Sequence, residues 1–140
     1  MRRGPIRVWD RGARLGGTNA ADRAAVAFFS DEWRNPVFVL DVCRVVERFL
    51  GGTAGKGALN RVYNMGGPER LSRADMAEQL AEVRGHDRRR IRRCPAASMA
   101  GARGVASPAD ISMDSSALAA ALDFTFTPFA AALRAIDWPE

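Results

Sequence analysis

Ser72, Asp75 and Gly85 bracket one helix more tightly than any other residues bracket an element of this chain. A serine just before a helix offers its hydroxyl to the free backbone N–H groups of the first turn, and an acidic residue three positions on reaches back to the serine's own N–H. Here the acid is Asp in place of the usual Glu. Leu71 and Met76 take the two positions of a hydrophobic staple, and Met76, Leu80 and Val83 recur at helical spacing. Gly85 is placed to supply the left-handed residue that closes a helix. Ser72 therefore reads as a cap and not as a nucleophile.

The same punctuation orders the rest of the chain. Val26–Phe29 reads as a strand, broken by Ser30, Asp31 and Glu32. Pro36 drives Asn35 out of the helical region, so the β-branched and aromatic run Val37–Leu40 reads as a short buried strand. Asp41 is placed to cap the following helix, in which Val42, Val45, Val46, Phe49 and Leu50 recur until Gly51 and Gly52 stop it. Cys43 falls inside that apolar pattern and reads as a small core residue. Thr53 to Asn60 is a glycine-rich connector, and Arg61–Met65 reads as another strand, ended by Gly66, Gly67 and Pro68. Arg88 to Cys94 reads as an edge strand ending at Pro95, and residues 96–110 as an irregular loop. Asp114 caps a short helix through Leu118 and Leu122. Thr127 before Pro128 opens a last helix with Phe129, Leu133 and Ile136 on its buried side. The expected fold class is α/β, with short strands and three or four helices. Residues 1–25 read as loop or disordered, residues 26–136 as the folded unit and residues 137–140 as a tail.

The net charge of +5 on 140 residues is local. Residues 1–23 carry +4 and residues 84–93 carry +5, leaving −4 for the remainder. Lys56 is the only lysine, so the basicity is an arginine bias. The run Arg88–Arg93 has no interleaved aromatics; it fits a solvated edge strand as well as nonspecific phosphate contact. Two cysteines, Cys43 and Cys94, make no disulfide framework. No run of 18 apolar residues is present, and no apolar segment of the secretory kind follows the basic start. A cytoplasmic protein is expected. An organellar transit segment stays open for the Arg- and Ala-rich start, although Asp10 and Asp22 count against it.

The ordered set of segments carries a resemblance. The chain runs Gly66-Gly67-Pro68-Glu69-Arg70-Leu71-Ser72-Arg73, then Met76-Ala77-Glu78, and later Ser107-Pro108-Ala109-Asp110-Ile111-Ser112-Met113-Asp114. Over about residues 26–136 it resembles the C-terminal, substrate-binding region of plant-type dTDP-4-dehydrorhamnose reductase-like proteins, in the extended short-chain dehydrogenase/reductase superfamily. The resemblance implies the small substrate lobe of an NAD(P)-dependent nucleotide-sugar reductase, lacking the complete Rossmann sheet and inactive by itself. NAD(P) is implied for the full-length family and not for these residues. A related branch, the regulatory subunit of methionine adenosyltransferase, implies the alternative of a non-enzymatic binding module. An Arg-rich nucleic-acid binder is a third and weaker reading. Implied partners are a nucleotide sugar, and either the missing Rossmann half or a second copy covering an apolar face left open at Phe28, Phe29, Val37 and Val39.

No catalytic, cofactor or metal residue can be assigned. Hydride transfer needs a bound nicotinamide and a proton donor. The family's donor is the tyrosine of a Tyr-x-x-x-Lys pair, but Tyr63, the sole tyrosine, has Gly67 four positions on. The loop Gly51–Gly57 has the wrong spacing for a phosphate loop and follows a helix. His86, the sole histidine, has no second ligand at metal-site spacing. Where many superfamily members have Arg-Pro contacting the diphosphate, this chain has Ser107-Pro108, with Arg103 out of register. The candidate substrate-binding residues are Trp33, Arg34, Asn35 and Pro36, in the segment that the resemblance places at the cleft. Arg34 reads either as a phosphate or ribose contact or as an ion pair with Asp31 or Asp41. Trp138 reads as cover for the core.

Overall fold

The computed structural model describes residues 25–52, 54–55, 58–98 and 107–136. Arg103, Trp138, residues 1–24 of the segment read as loop or disordered, and residues 137–140 lie outside them. The described residues form an α/β unit with four helices and two separate two-stranded sheets. Strand β1 (Val26–Phe29) pairs in parallel with β4 (Ile91–Cys94), with Val26 opposite Ile91 and Phe29 opposite Cys94. Strand β2 (Trp33–Arg34) pairs antiparallel with β3 (Leu71–Ser72). The helices are α1 (Val39–Leu50), α2 (Arg73–Arg84), α3 (Ser116–Leu122) and α4 (Phe129–Ala135). None is long and apolar enough to cross a membrane.

Helix α2 realises its local signals in full. The Ser72 hydroxyl accepts from the Asp75 N–H at 3.1 Å, and the Ser72 N–H donates to the Asp75 carboxylate at 2.8 Å. Leu71 and Met76 are both buried, and Gly85 closes the helix in the left-handed region at φ 67°. The helix packs on β1, β4 and α4 through alanines, with Ala74, Ala77 and Ala81 buried beside Met76. Leu80 and Val83 are only half-buried. Small side chains let α2 lie close to its neighbours, which a reading weighted toward large apolar residues overlooks. A second core joins α1 to α3 through Val45, Leu118, Leu122 and Phe126, with Phe49, Tyr63 and Met65 against it.

Several expectations fail here. Val37–Leu40 is not a strand: α1 begins at Val39, and the Phe38 carbonyl accepts from Asp41 and Val42. A four-residue apolar run does not distinguish a buried strand from the entry to a helix. Asp41 is consequently inside the first turn and does not cap α1. Arg61–Met65 belongs to no strand, for no strand lies alongside it among the described residues; Tyr63 and Met65 still turn to the core while Val62 is fully exposed. Cys43 is exposed, because α1 turns Asp41 and Val45 inward and Cys43 outward. Helix α4 starts one residue late, with Pro128 at the capping position, because the Thr127 hydroxyl donates to Asp41 and does not cap. Of the four residues expected to lack cover, Phe28, Phe29 and Val37 are half-buried, while Val39, on α1, is 64% exposed.

Candidate functional site

The turn Asn35–Pro36 leaves β2 and runs against the turn Gly66–Pro68. The approach is close enough that a Cβ on Gly67 would lie 1.9 Å from the Pro36 carbonyl oxygen, so only glycine fits. Asn35 clamps three segments together. Its amide donates to the carbonyls of Gly67 (3.3 Å) and Glu69 (3.2 Å), and its oxygen accepts from the Met113 N–H at 2.8 Å. Ser115 completes the joint, its hydroxyl accepting from the Gly66 N–H at 2.7 Å and donating to the Gly66 carbonyl at 3.2 Å.

Beside this joint lies a cleft of about 360 Å³. Asn35, Gly67 and Pro68 form one wall, Met113 to Ser116 another, and Phe124, Thr125 and Phe126 the third. The two phenylalanines meet edge to face with ring centroids 5.0 Å apart. The cleft thus offers the Ser116 and Thr125 hydroxyls and one carboxylate around an aromatic wall, the Asn35 amide and the Ser115 hydroxyl being taken up in the joint. That combination suits a polyhydroxylated ring, whose C–H faces pack on aromatics while its hydroxyls find polar partners. The Asp114 carboxylate accepts from the Ser116 N–H at 2.9 Å, and these contacts hold its pKa below the ordinary value. A negative charge at the rim disfavours a phosphate there.

Of the four candidate residues from the sequence, only Asn35 lines this cleft. Arg34 is committed elsewhere: it donates to the Trp33 carbonyl at 2.6 Å and to the Ser107 hydroxyl at 2.8 Å. Its ion-pair partner is Glu32 at 3.7 Å, neither Asp31 nor Asp41. Glu32 is 1% exposed and also pairs with Arg73 at 3.4 Å. Trp33 lies under the Arg70 guanidinium, 4.0 Å from the ring centroid, and Pro36 serves through its carbonyl. The sequence reading missed Ser115, Ser116, Thr125 and the two phenylalanines. Their signal was the alternation of Phe124 and Phe126 about Thr125, an i, i+2 pattern too short to stand out.

Arg70 also grips Asp110 through two nitrogens, at 2.9 and 2.8 Å. Hydrogen bonds from Ser112, with Arg70 beside them, lower the Asp110 carboxyl to about 2. A carboxyl lowered in the folded state adds stability above the unfolded value of about 3.9, and that stability is lost as pH falls from there through about 2. A ¹³C carboxyl titration is expected to place the Asp110 midpoint near 2. Arg70→Ala raises that midpoint while leaving it below about 3.9, because Ser112 still donates. A midpoint that Arg70→Ala does not move refutes the pairing.

The arginine run is largely met by nearby acids: Arg88 by Glu78 and Glu82, Arg89 by Asp87, and Arg93 by Asp75 and Glu78. Burial pushes the Asp75 carboxyl up, but the Ser72 hydroxyl and N–H and then Arg93 outweigh it and hold the pKa below its ordinary value. The space before Gly66 and Gly67 is filled by Asn35 and Pro36 and leaves no cradle for a pyrophosphate. No cluster of three metal-ligating side chains occurs among the described residues.

No protein-family model matches the chain, and no curated protein does. Among solved structures it is similar to dTDP-glucose 4,6-dehydratase from Bacillus anthracis str. Ames, determined in complex with NAD, with TM-score 0.57 and 18% identity. The match covers 84% of this chain and 34% of that enzyme, so the chain spans about a third of its length. At that identity the two share a fold.

Proposed function

We propose that this chain is the substrate-side lobe of an NAD(P)-dependent nucleotide-sugar enzyme of the extended short-chain dehydrogenase/reductase superfamily, on the dTDP-4-dehydrorhamnose reductase-like branch. The observation that carries the reading is the match of 84% of the chain to a third of an NAD-bound sugar-nucleotide dehydratase. The cleft supports it: its hydroxyls, its aromatic wall and the Asp114 carboxylate favour the sugar end of such a substrate over the diphosphate. Arg34 and Trp33 do not line the cleft; they precede Asn35 on β2, where Arg34 bonds Ser107 and Trp33 lies under Arg70. The lobe by itself transfers no hydride. A nicotinamide and its proton donor would come from residues outside these 140, and no step of that chemistry is assigned to this chain.

The test is an amide-resolved NMR titration of the 140-residue chain with dTDP-glucose, UDP-glucose, free dTDP and free glucose. The sugar nucleotides and glucose are expected to shift Asn35, Ser115, Ser116 and Thr125 at millimolar concentration, and dTDP to shift them little. NADPH added to any of these mixtures is not consumed. If none of the four ligands moves those amides, the cleft is not a sugar site and the reading fails.

A further inference from the structure

The cleft beside the Asn35 joint is lined by a single ionisable group, the carboxylate of Asp114. Elsewhere in the folded unit arginines meet the acids: Glu32, Asp41, Asp75, Glu78, Asp87 and Asp110 each pair with at least one. Asp114 is exposed and has no cationic partner among the described residues. Its local role does not call for a charge. One of its oxygens accepts from the Ser116 N–H at 2.9 Å, a bond that an asparagine oxygen makes equally well at the start of a helix. The chain as a whole carries +5, so its overall field favours anions. An unpaired carboxylate beside Ser116, Thr125 and the two phenylalanines reverses that preference in one place.

Resting on the reading of this cleft as a sugar site, we propose that the sugar it takes carries a free amine. The ring is an amino-deoxyhexose whose ammonium group pairs with Asp114 while its hydroxyls meet Ser116 and Thr125. A sugar hydroxyl can donate one bond to the carboxylate; an ammonium donates and also neutralises it. The phenylalanines serve the C–H faces of the ring. Phe124 already lies under the Arg48 guanidinium, 5.3 Å from the ring centroid. Arg48 bonds the carbonyls of Leu122 and Asp123 and does not line the cleft, so the ammonium finds its partner in Asp114. The site is open to water, and the gain over a neutral hexose is that of an exposed ion pair, about threefold to fivefold in affinity.

Amide-resolved NMR titration of the full chain at about pH 6 and low salt tests it, where the amines are protonated and screening is weak. The probes are glucose, the amino-deoxyglucoses with the amine at carbon 2, 3, 4 or 6, and their N-acetyl forms. At least one amino sugar is expected to shift Ser115, Ser116 and Thr125 with a dissociation constant at least about threefold below that of glucose. N-acetylation removes the charge and with it the gain. Asp114→Asn erases the difference between amino sugar and glucose. Glu47→Gln, which removes an exposed carboxylate outside the cleft, leaves that difference in place. The N-acetyl comparison is made on the unaltered chain, so a variant that fails to fold does not hide the answer. If glucose shifts these amides and no amino sugar binds about threefold tighter, the sugar-cleft reading stands and the amine is refuted. A gain that survives Asp114→Asn or N-acetylation also overturns the proposal, since the charge pair is then not its source. Silence from every probe removes the sugar site itself, and this inference with it.

Discussion

Asp41→Ala is expected to lower the unfolding free energy by about 3 kcal/mol, moving the urea midpoint down by about 1–2 M. Asp41 is 0% exposed, and its two carboxylate oxygens accept from the Thr127 N–H at 2.7 Å and the Thr127 hydroxyl at 3.0 Å. These bonds tie the first turn of α1 to the chain entering α4. Hydrogen bonds to a charged acceptor are the strong class, and truncating the acceptor leaves a half-buried backbone N–H with no partner. Arg44 also reaches Asp41 at 3.2 Å, but its side chain is 55% exposed and returns to water at little cost. Thr127→Val keeps the backbone donor and removes only the hydroxyl, for about 1 kcal/mol. Asp41→Asn keeps an acceptor and loses the charge, so it falls between the two. The order Ala, Asn, then Thr127→Val is the content of the prediction. Equal losses from Asp41→Ala and Thr127→Val would mean that the backbone donor contributes nothing.

Asp41 also shows where reading a sequence stops. Its placement after an apolar run and before a helical pattern invited the role of cap, which is a contact with the next three residues. Its partner is 86 positions away, and nothing local announces a long-range acceptor. Ser72 and Asp75 were legible because capping is local: donor, acceptor and spacing all lie within one turn. Glu32 has the same history as Asp41. Between a strand and a turn it looks like solvent-facing punctuation, and it is buried because Arg34 and Arg73 converge on it. The strand expected at Arg61–Met65 has the right alternation, Tyr63 and Met65 inward and Val62 outward, but a strand also needs a neighbour, and periodicity says nothing about whether one is present. The cleft was reached through Asn35 alone, since its other walls come from segments near positions 67, 115 and 125 that only folding brings together.

Gly67→Ala is expected to cost about 3 kcal/mol or more and to open the cleft at the Asn35 side. The argument is steric. The new methyl would lie 1.9 Å from the Pro36 carbonyl oxygen and 2.8 Å from its carbon, and both atoms are backbone. No side-chain rotation relieves that overlap, so the two turns must separate. Separation breaks the Gly67 N–H bond to the Asn35 carbonyl (3.3 Å) and both Asn35 amide bonds to the Gly67–Glu69 segment, which also hold the wall of the cleft. Three other glycines calibrate the effect. At Gly66 the nearest atom is the Asn35 Cβ at 2.9 Å, close enough to force a shift but with less backbone in the way. At Gly85 there is open space but φ is +67°, so alanine costs about 1 kcal/mol through conformation alone. At Gly55 neither penalty applies and alanine is near neutral. Urea melts of the four alanine variants should therefore rank 67, 66, 85, 55 from most to least destabilised, and only the first two should alter the amide shifts of Asn35 and Ser115. A Gly67→Ala chain as stable as Gly85→Ala, with those shifts unmoved, would show that the two turns do not touch and that the cleft has a different wall.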